Sequence, residues 1–228
     1  MAKSKSLKVI EPAQPEIYHE QPVNPYLAFG NAVASMSRIK GQLLKFNKGE
    51  WTAGTEAEEL SEGTRLVANM EQLLIGWQRW EDNRPVEEDM GLVLDEFIAK
   101  KRHELSFTDQ AEWETDKNSG LPRDPWRWTC MLILKGTDRH GQIYTFSTQS
   151  KGGIDACGLL ARTYGKEMRE HPDEFPIVAL GRESYKHAEY GKIYKPLFPI
   201  VDWRDKGDWR EEENVDAPVV SHARKKIR

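Results

Sequence analysis

Between residues 41 and 203 the apolar positions recur mainly at every second residue, the period of strands with one covered face. Leu43-Leu44-Lys45-Phe46-Asn47-Lys48-Gly49-Glu50-Trp51 predicts a short strand running into a glycine turn. Gly63 opens a longer strand, 65–81. In it Leu66, Ala68 and Met70 share a face, and Leu73, Ile75 and Trp77 resume after a break. A strand of this length must bend, and Gly76 is where a bulge is expected. Residues 82–125, with Pro85, Pro122 and Pro125, predict a long loop-like insertion.

The clearest pair of strands follows. Trp126, Trp128, Cys130, Leu132 and Leu134 alternate with Arg127, Thr129, Met131, Ile133 and Lys135. Asp138-Arg139-His140-Gly141 supplies a turn, and Ile143, Thr145 and Ser147 then alternate with Tyr144, Phe146 and Thr148. Two alternating runs around a glycine-containing turn predict a hairpin. Ile154, Cys157, Leu160, Ala161, Tyr164 and Met168 change to helical spacing, so one helix is expected from Ile154 to about Glu170. Gly152-Gly153 precedes it and His171-Pro172 ends it. Phe175 to Leu180 predicts a short strand, and residues 181–191 a loop. The last strand, Lys192 to Trp203, carries Pro196 and Pro199 and is expected at an edge or bulged.

The order is long bent strand, strand, strand, helix, strand, strand. The fold class expected is therefore β-rich α/β (α+β): a five-stranded OB-like barrel with one main helix and N-terminal and loop additions. Such barrels bind oligonucleotides on the face of their second and third strands, between two flanking loops. Arg127, Tyr144 and Phe146 are the candidates on those strands, with Lys151 at the helix start. Tyr144 and Phe146 are free to stack on bases only if Ile143 and Thr145 face inward, and the register is left open. The last loop contributes Arg182, Tyr185, Lys186, His187, Tyr190 and Lys192, aromatics interleaved with cations. Single-strand binding needs that mixture, because bases stack on rings while cations follow the phosphates. Ser150-Lys151-Gly152-Gly153 lacks the spacing of a P-loop and is read as an ordinary strand-to-helix turn.

Charge alters the picture in one respect. The chain of 228 residues carries a net charge of −4, against simple charge-driven binding to duplex DNA. The balance is uneven, with 13 acids and 6 bases in 81–124 but 11 bases and 9 acids in 126–203. Cys130 and Cys157 have neither zinc nor redox-motif spacing and are expected as buried free thiols. The six histidines are scattered, and no G-x-S-x-G or HExxH motif occurs, so no catalytic residue, metal or cofactor is expected. No signal-like or membrane-spanning apolar run is present, and a cytoplasmic protein is expected. Residues 1–40 read as an extended or disordered tail, 41–203 as the OB-like domain with its acidic insertion 82–125, and 204–228 as a charged tail.

The stretches GQLLKFNKGEW (41–51), TRLVANMEQLLIGWQRWEDNRPVEEDMG (64–91) and 145–203, from TFSTQSKGG to PLFPIVDW, resemble uncharacterised proteins encoded by phages and prophages. Strand order and aromatic content are similar to those of phage single-stranded DNA-binding proteins of the OB type. The chain departs from bacterial proteins of that kind by ending in Arg224-Lys225-Lys226-Ile227-Arg228 where they carry an apolar tip. The resemblance implies single-stranded DNA binding in phage DNA replication or recombination. The partners it implies are single-stranded DNA, phage or host replication proteins, further copies of the chain, and no membrane. The alternative is an accessory factor that engages a basic partner through its acidic segments, 82–125 and 205–216.

Overall fold

The computed structural model describes residues 38–82, 84–116, 120–138, 141–187 and 191–209, with the side chain of His187 left out. The first half of the domain forms β1 (Gln42–Asn47), β2 (Glu50–Ala53), β3 (Glu58–Leu60), β4 (Arg65–Glu81) and β5 (Arg84–Leu92). After an irregular stretch come β6 (Trp126–Gly136), β7 (Ile143–Thr148) and the helix α1 (Lys151–Glu167). The chain continues through β8 (Glu174–Ala179), β9 (Gly181–His187), β10 (Gly191–Leu197) and β11 (Ile200–Asp205).

Nine strands, not five, form the main sheet, in the order β11-β8-β4-β6-β7-β1-β2-β3, with β5 added on β4. The sheet curls strongly into a half-barrel around one core, and α1 packs against that core. This architecture is compatible with an OB-like fold. Leu44, Trp51, Leu66, Leu132, Phe146 and Leu180 fill the concave side, and α1 adds Ala156, Cys157 and Leu160. Trp51 Nε1 donates to the Gly181 carbonyl at 3.2 Å, tying β2 to the start of β9 across the concavity. The convex side is covered too, where Val67, Ile133, Phe175 and Ile177 pack with Trp209.

β4 shows why the first strand is so long. One edge pairs with β6 over Leu66–Asn69 and again over Leu74–Arg79, whereas the other pairs first with β8, up to Val67, and then with β5 from Leu74. The register with β6 slips between Asn69 and Leu74, so the bulge lies at the break in the apolar pattern and not at Gly76. Buried Asn69 repairs the slip: its Oδ1 accepts from the backbone N–H groups of Glu71 and Gln72, at 3.1 and 3.2 Å. Gly76 serves close approach instead. Its φ is +144°, and a Cβ there would lie 2.1 Å from the Asp89 carbonyl oxygen of β5.

Four further expectations need correction. The acidic insertion is not all loop, because Arg84–Leu92 is a strand. The loop expected over 181–191 is mostly strand β9, which pairs with β10 as a separate two-stranded ribbon. The single final strand is two, broken at Phe198-Pro199, with β10 in the ribbon and β11 on β8. The helix begins at Lys151, three residues before the expected start, because Ser150 caps it by accepting from Gly153 N–H at 3.1 Å.

Candidate nucleic-acid interface

The register of the β6–β7 hairpin decides the first group of candidates. Leu132 lies opposite Phe146 and Leu134 opposite Tyr144, so both rings share the concave face with the core. Phe146 is 2% exposed, its ring centroid 5.6 Å from Trp51 and 5.2 Å from Phe198. It is a core residue and is withdrawn as a base-stacking candidate. Tyr144 is half-buried against the same core. Burial, and then the charges of Glu58 and Asp138, push its phenol above the usual value. The convex face of these strands is no open platform either, since Thr129, Met131, Ile133 and Thr145 are all buried.

Arg127 stands at the far end of β6. Its guanidinium lies over the Trp80 ring at 5.4 Å and donates to Gln149 Oε1 at 3.4 Å, while its Nε has no partner. Burial and the neighbouring charge of Arg123 lower its pKa, against the opposing pull of Asp116 and Glu114. It lines a cavity of about 370 Å³ between the end of β4, the start of β6 and the irregular stretch before it. Five carboxylates and three guanidiniums line this cavity. Arg79 is held by Glu81 and Glu87, and Arg123 by Asp116. A space with that balance suits a cation better than a phosphate.

The ribbon β9–β10 gathers the second group. Arg182 is largely occupied, donating to the Gly49 carbonyl at 2.9 Å and pairing with Glu62 at 3.2 Å. Lys186 lies directly opposite Lys192, and Ser184 opposite Tyr194. These residues share one face, and the Lys192 ammonium sits 4.9 Å from the Tyr194 ring centroid. Like charges directly opposite each other weaken a ribbon. Among the described residues no carboxylate pairs with either lysine. The other face carries Tyr185, 48% exposed, opposite Ile193, and an ion pair of Lys195 with Glu183 at 2.9 Å. His187 occupies a strand position opposite Gly191; its side chain and Tyr190 lie outside the described residues.

Lys151 is exposed and pairs with Asp155 one turn along α1 at 3.1 Å. The glycines beside it are explained by packing. A Cβ at Gly153 would lie 2.1 Å from Thr148 Oγ1, and one at Gly152 3.0 Å from Lys195 Cβ. The reading of this segment as a strand-to-helix turn therefore has a cause, and it brings the start of α1 against β10. Tyr194 and Lys195 are not among the residues expected from the sequence, which places them in a last strand at an edge or bulged. Their alternation with Lys192 and Ile193 was the available signal.

Cys130 and Cys157 meet in the core, and their mutual contact together with burial pushes the Cys157 thiol well up. Among the described residues no group of three potential metal ligands occurs. No described helix is long and apolar enough to cross a membrane. A scan against protein-family models finds no match, and searches of curated proteins and of solved structures find none.

Proposed function

We propose that this chain binds single-stranded nucleic acid, DNA in the setting of phage replication or recombination, through an OB-like domain. Its principal contact is the β9–β10 ribbon. The observation that carries the reading is the ribbon face where Lys186 stands opposite Lys192 beside Tyr194, with Tyr185 exposed behind it. Strand order supports it. Taken as the five expected strands, β4, β6, β7, β8 and β11 lie in the sheet as fifth, fourth, first, second, third. That is the strand order of a five-stranded barrel with α1 between its third and fourth strands, opened here because β1 takes the outer edge of β7. The ribbon then occupies the loop between the fourth and fifth strands, one of the two that flank an OB binding face. Affinity comes from stacking and local charge, so the net charge of −4 is no obstacle.

The test is fluorescence anisotropy with a labelled poly-dT strand of roughly 30 nucleotides and a matched duplex, at low and moderate salt. Salt-dependent binding to the single strand, about a hundredfold tighter than to the duplex, is expected. Equal affinity for both, or binding to neither, overturns the reading.

A second reading is favoured by the carboxylate-lined cavity next to Arg127: an accessory factor whose acidic insertion receives a basic segment of a partner protein. Titration with a lysine- and arginine-rich peptide, without nucleic acid, separates the two. Under this reading the peptide binds and poly-dT does not.

A further inference from the structure

Resting on the proposal above, we infer that a slot in the sheet between β1 and β7 seats one phosphate of the bound strand. These two strands run parallel and pair only over Gln42↔Tyr144, Leu43↔Thr145 and Leu44↔Phe146. Both then continue, β1 to Asn47 and β7 to Thr148, without pairing with each other. The opening left between them has a volume of about 280 Å³. Its walls are three consecutive residues of each strand, Lys45-Phe46-Asn47 and Phe146-Ser147-Thr148. Successive side chains of a strand point to opposite faces. A space lined by consecutive residues therefore passes between the strands and does not lie on one face of the sheet. Ser150 and Pro196 complete the lining, which places the slot against the foot of the β9–β10 ribbon.

The chemistry of the lining selects the occupant. No carboxylate lines the slot, in contrast to the cavity beside Arg127. It offers one exposed ammonium, Lys45, with the Asn47 amide and three hydroxyls, Ser147, Thr148 and Ser150. Charge-assisted hydrogen bonds from such groups are the usual means of holding a phosphate oxygen. The Thr148 and Ser150 hydroxyls, 3.1 Å apart, already bond to each other, and Ser150 caps α1. Lys45, Asn47 and Ser147 are therefore the groups left to contact the ligand. The aromatic floor, Phe46 and Phe146 packed around Trp51, blocks deeper entry, so the slot takes a phosphate and leaves its bases outside.

The experiment compares the wild-type chain with Lys45→Gln and Ser147→Ala, side chains whose loss leaves the core intact. Affinity for poly-dT should fall about fivefold to tenfold in Lys45→Gln, and the slope of log K against log salt should become shallower by about 0.7. Backbone amide NMR shifts supply the second measurement, with the dinucleotide pdTpdT as probe. Movement of the Lys45–Asn47 and Ser147–Ser150 signals, weakened in Lys45→Gln, supports the slot even if long-strand binding fails. Normal poly-dT binding with an unchanged salt slope in Lys45→Gln, or unmoved slot amides, overturns the slot and leaves the wider reading standing. Loss of poly-dT binding by the wild type, with unmoved amides, overturns both.

Discussion

Two segments of this chain carry nearly the same sequence signal and meet opposite fates. In β7, Tyr144 and Phe146 alternate with Ile143, Thr145 and Ser147; in the ribbon, Tyr185 alternates with Ser184 and Lys186, and Tyr194 with Ile193 and Lys195. The β7 rings are drawn into the core, Phe146 almost completely. In the ribbon Tyr185 stays half exposed, while Tyr194 is partly covered beside Gly49. What differs is the position of the strand. β7 lies inside the sheet between β6 and β1, with covered material on both faces, whereas β9 and β10 pair only with each other. Alternation shows that a strand has two unlike faces. Its neighbours decide which face meets water.

The comparison can be broken most forcefully at Phe146. Its ring packs against Trp51 and Phe198. Phe146→Ala should therefore lower unfolding stability by roughly 3–5 kcal/mol through lost burial and the cavity left behind. Urea unfolding followed by far-UV circular dichroism measures it. A loss below about 1 kcal/mol would return Phe146 to the surface and reopen it as a binding residue.

Tyr185 is expected to behave in the opposite way. Tyr185→Ala should change stability by no more than about 0.5 kcal/mol, since the ring is half exposed. It should weaken poly-dT binding by roughly 1–3 kcal/mol if a base stacks there. Anisotropy titration and urea unfolding of the same variant give both numbers. A variant that unfolds early and binds normally would erase the distinction between ribbon and core strand.

The sequence was readable where apolar residues recur at strand or helix spacing, even though β6 and β8 bury both faces. The helix, the β6–β7 hairpin and β8 follow from apolar spacing, and the interruption between Met70 and Leu73 marks the bulge in β4. Besides the short β3, two strands were missed for one reason. β5, Arg-Pro-Val-Glu-Glu-Asp-Met-Gly-Leu, and β9, Gly-Arg-Glu-Ser-Tyr-Lys-His, bury neither face deeply. They are held by backbone pairing to β4 and β10, which leaves no mark on apolar spacing. The parallel pairing of β1 with β7 joins segments about a hundred residues apart and has no local trace, so the slot between them was invisible too. Among the candidate residues, Lys186, Lys192 and Tyr185 are exposed on the ribbon. Phe146 was misjudged because the register across the β6–β7 turn could not be fixed from the chain alone.

The smallest effect sharpens the comparison without disturbing the fold. Tyr144 shares its face with Phe146 but reaches the margin of the core, and burial, then Glu58 and Asp138, disfavour its phenolate. Its folded pKa is thus above the unfolded value of about 10. Below that pH the phenol is neutral in both states and the contribution is fully present. Above it the unfolded chain loses the proton first, the folded state binds more protons, and stability falls as pH rises through the folded pKa. Tyr164 acts in the same direction, mainly through burial, so removing one ring lessens the alkaline loss without abolishing it. Tyr144→Phe should keep the packing, delete one late-titrating component from the phenolate absorbance curve, and flatten the fall in stability above pH about 10. If that component persists in the variant, Tyr144 is not held at the core margin. The division between core strand and ribbon would then lie between Tyr144 and Phe146, inside β7 itself.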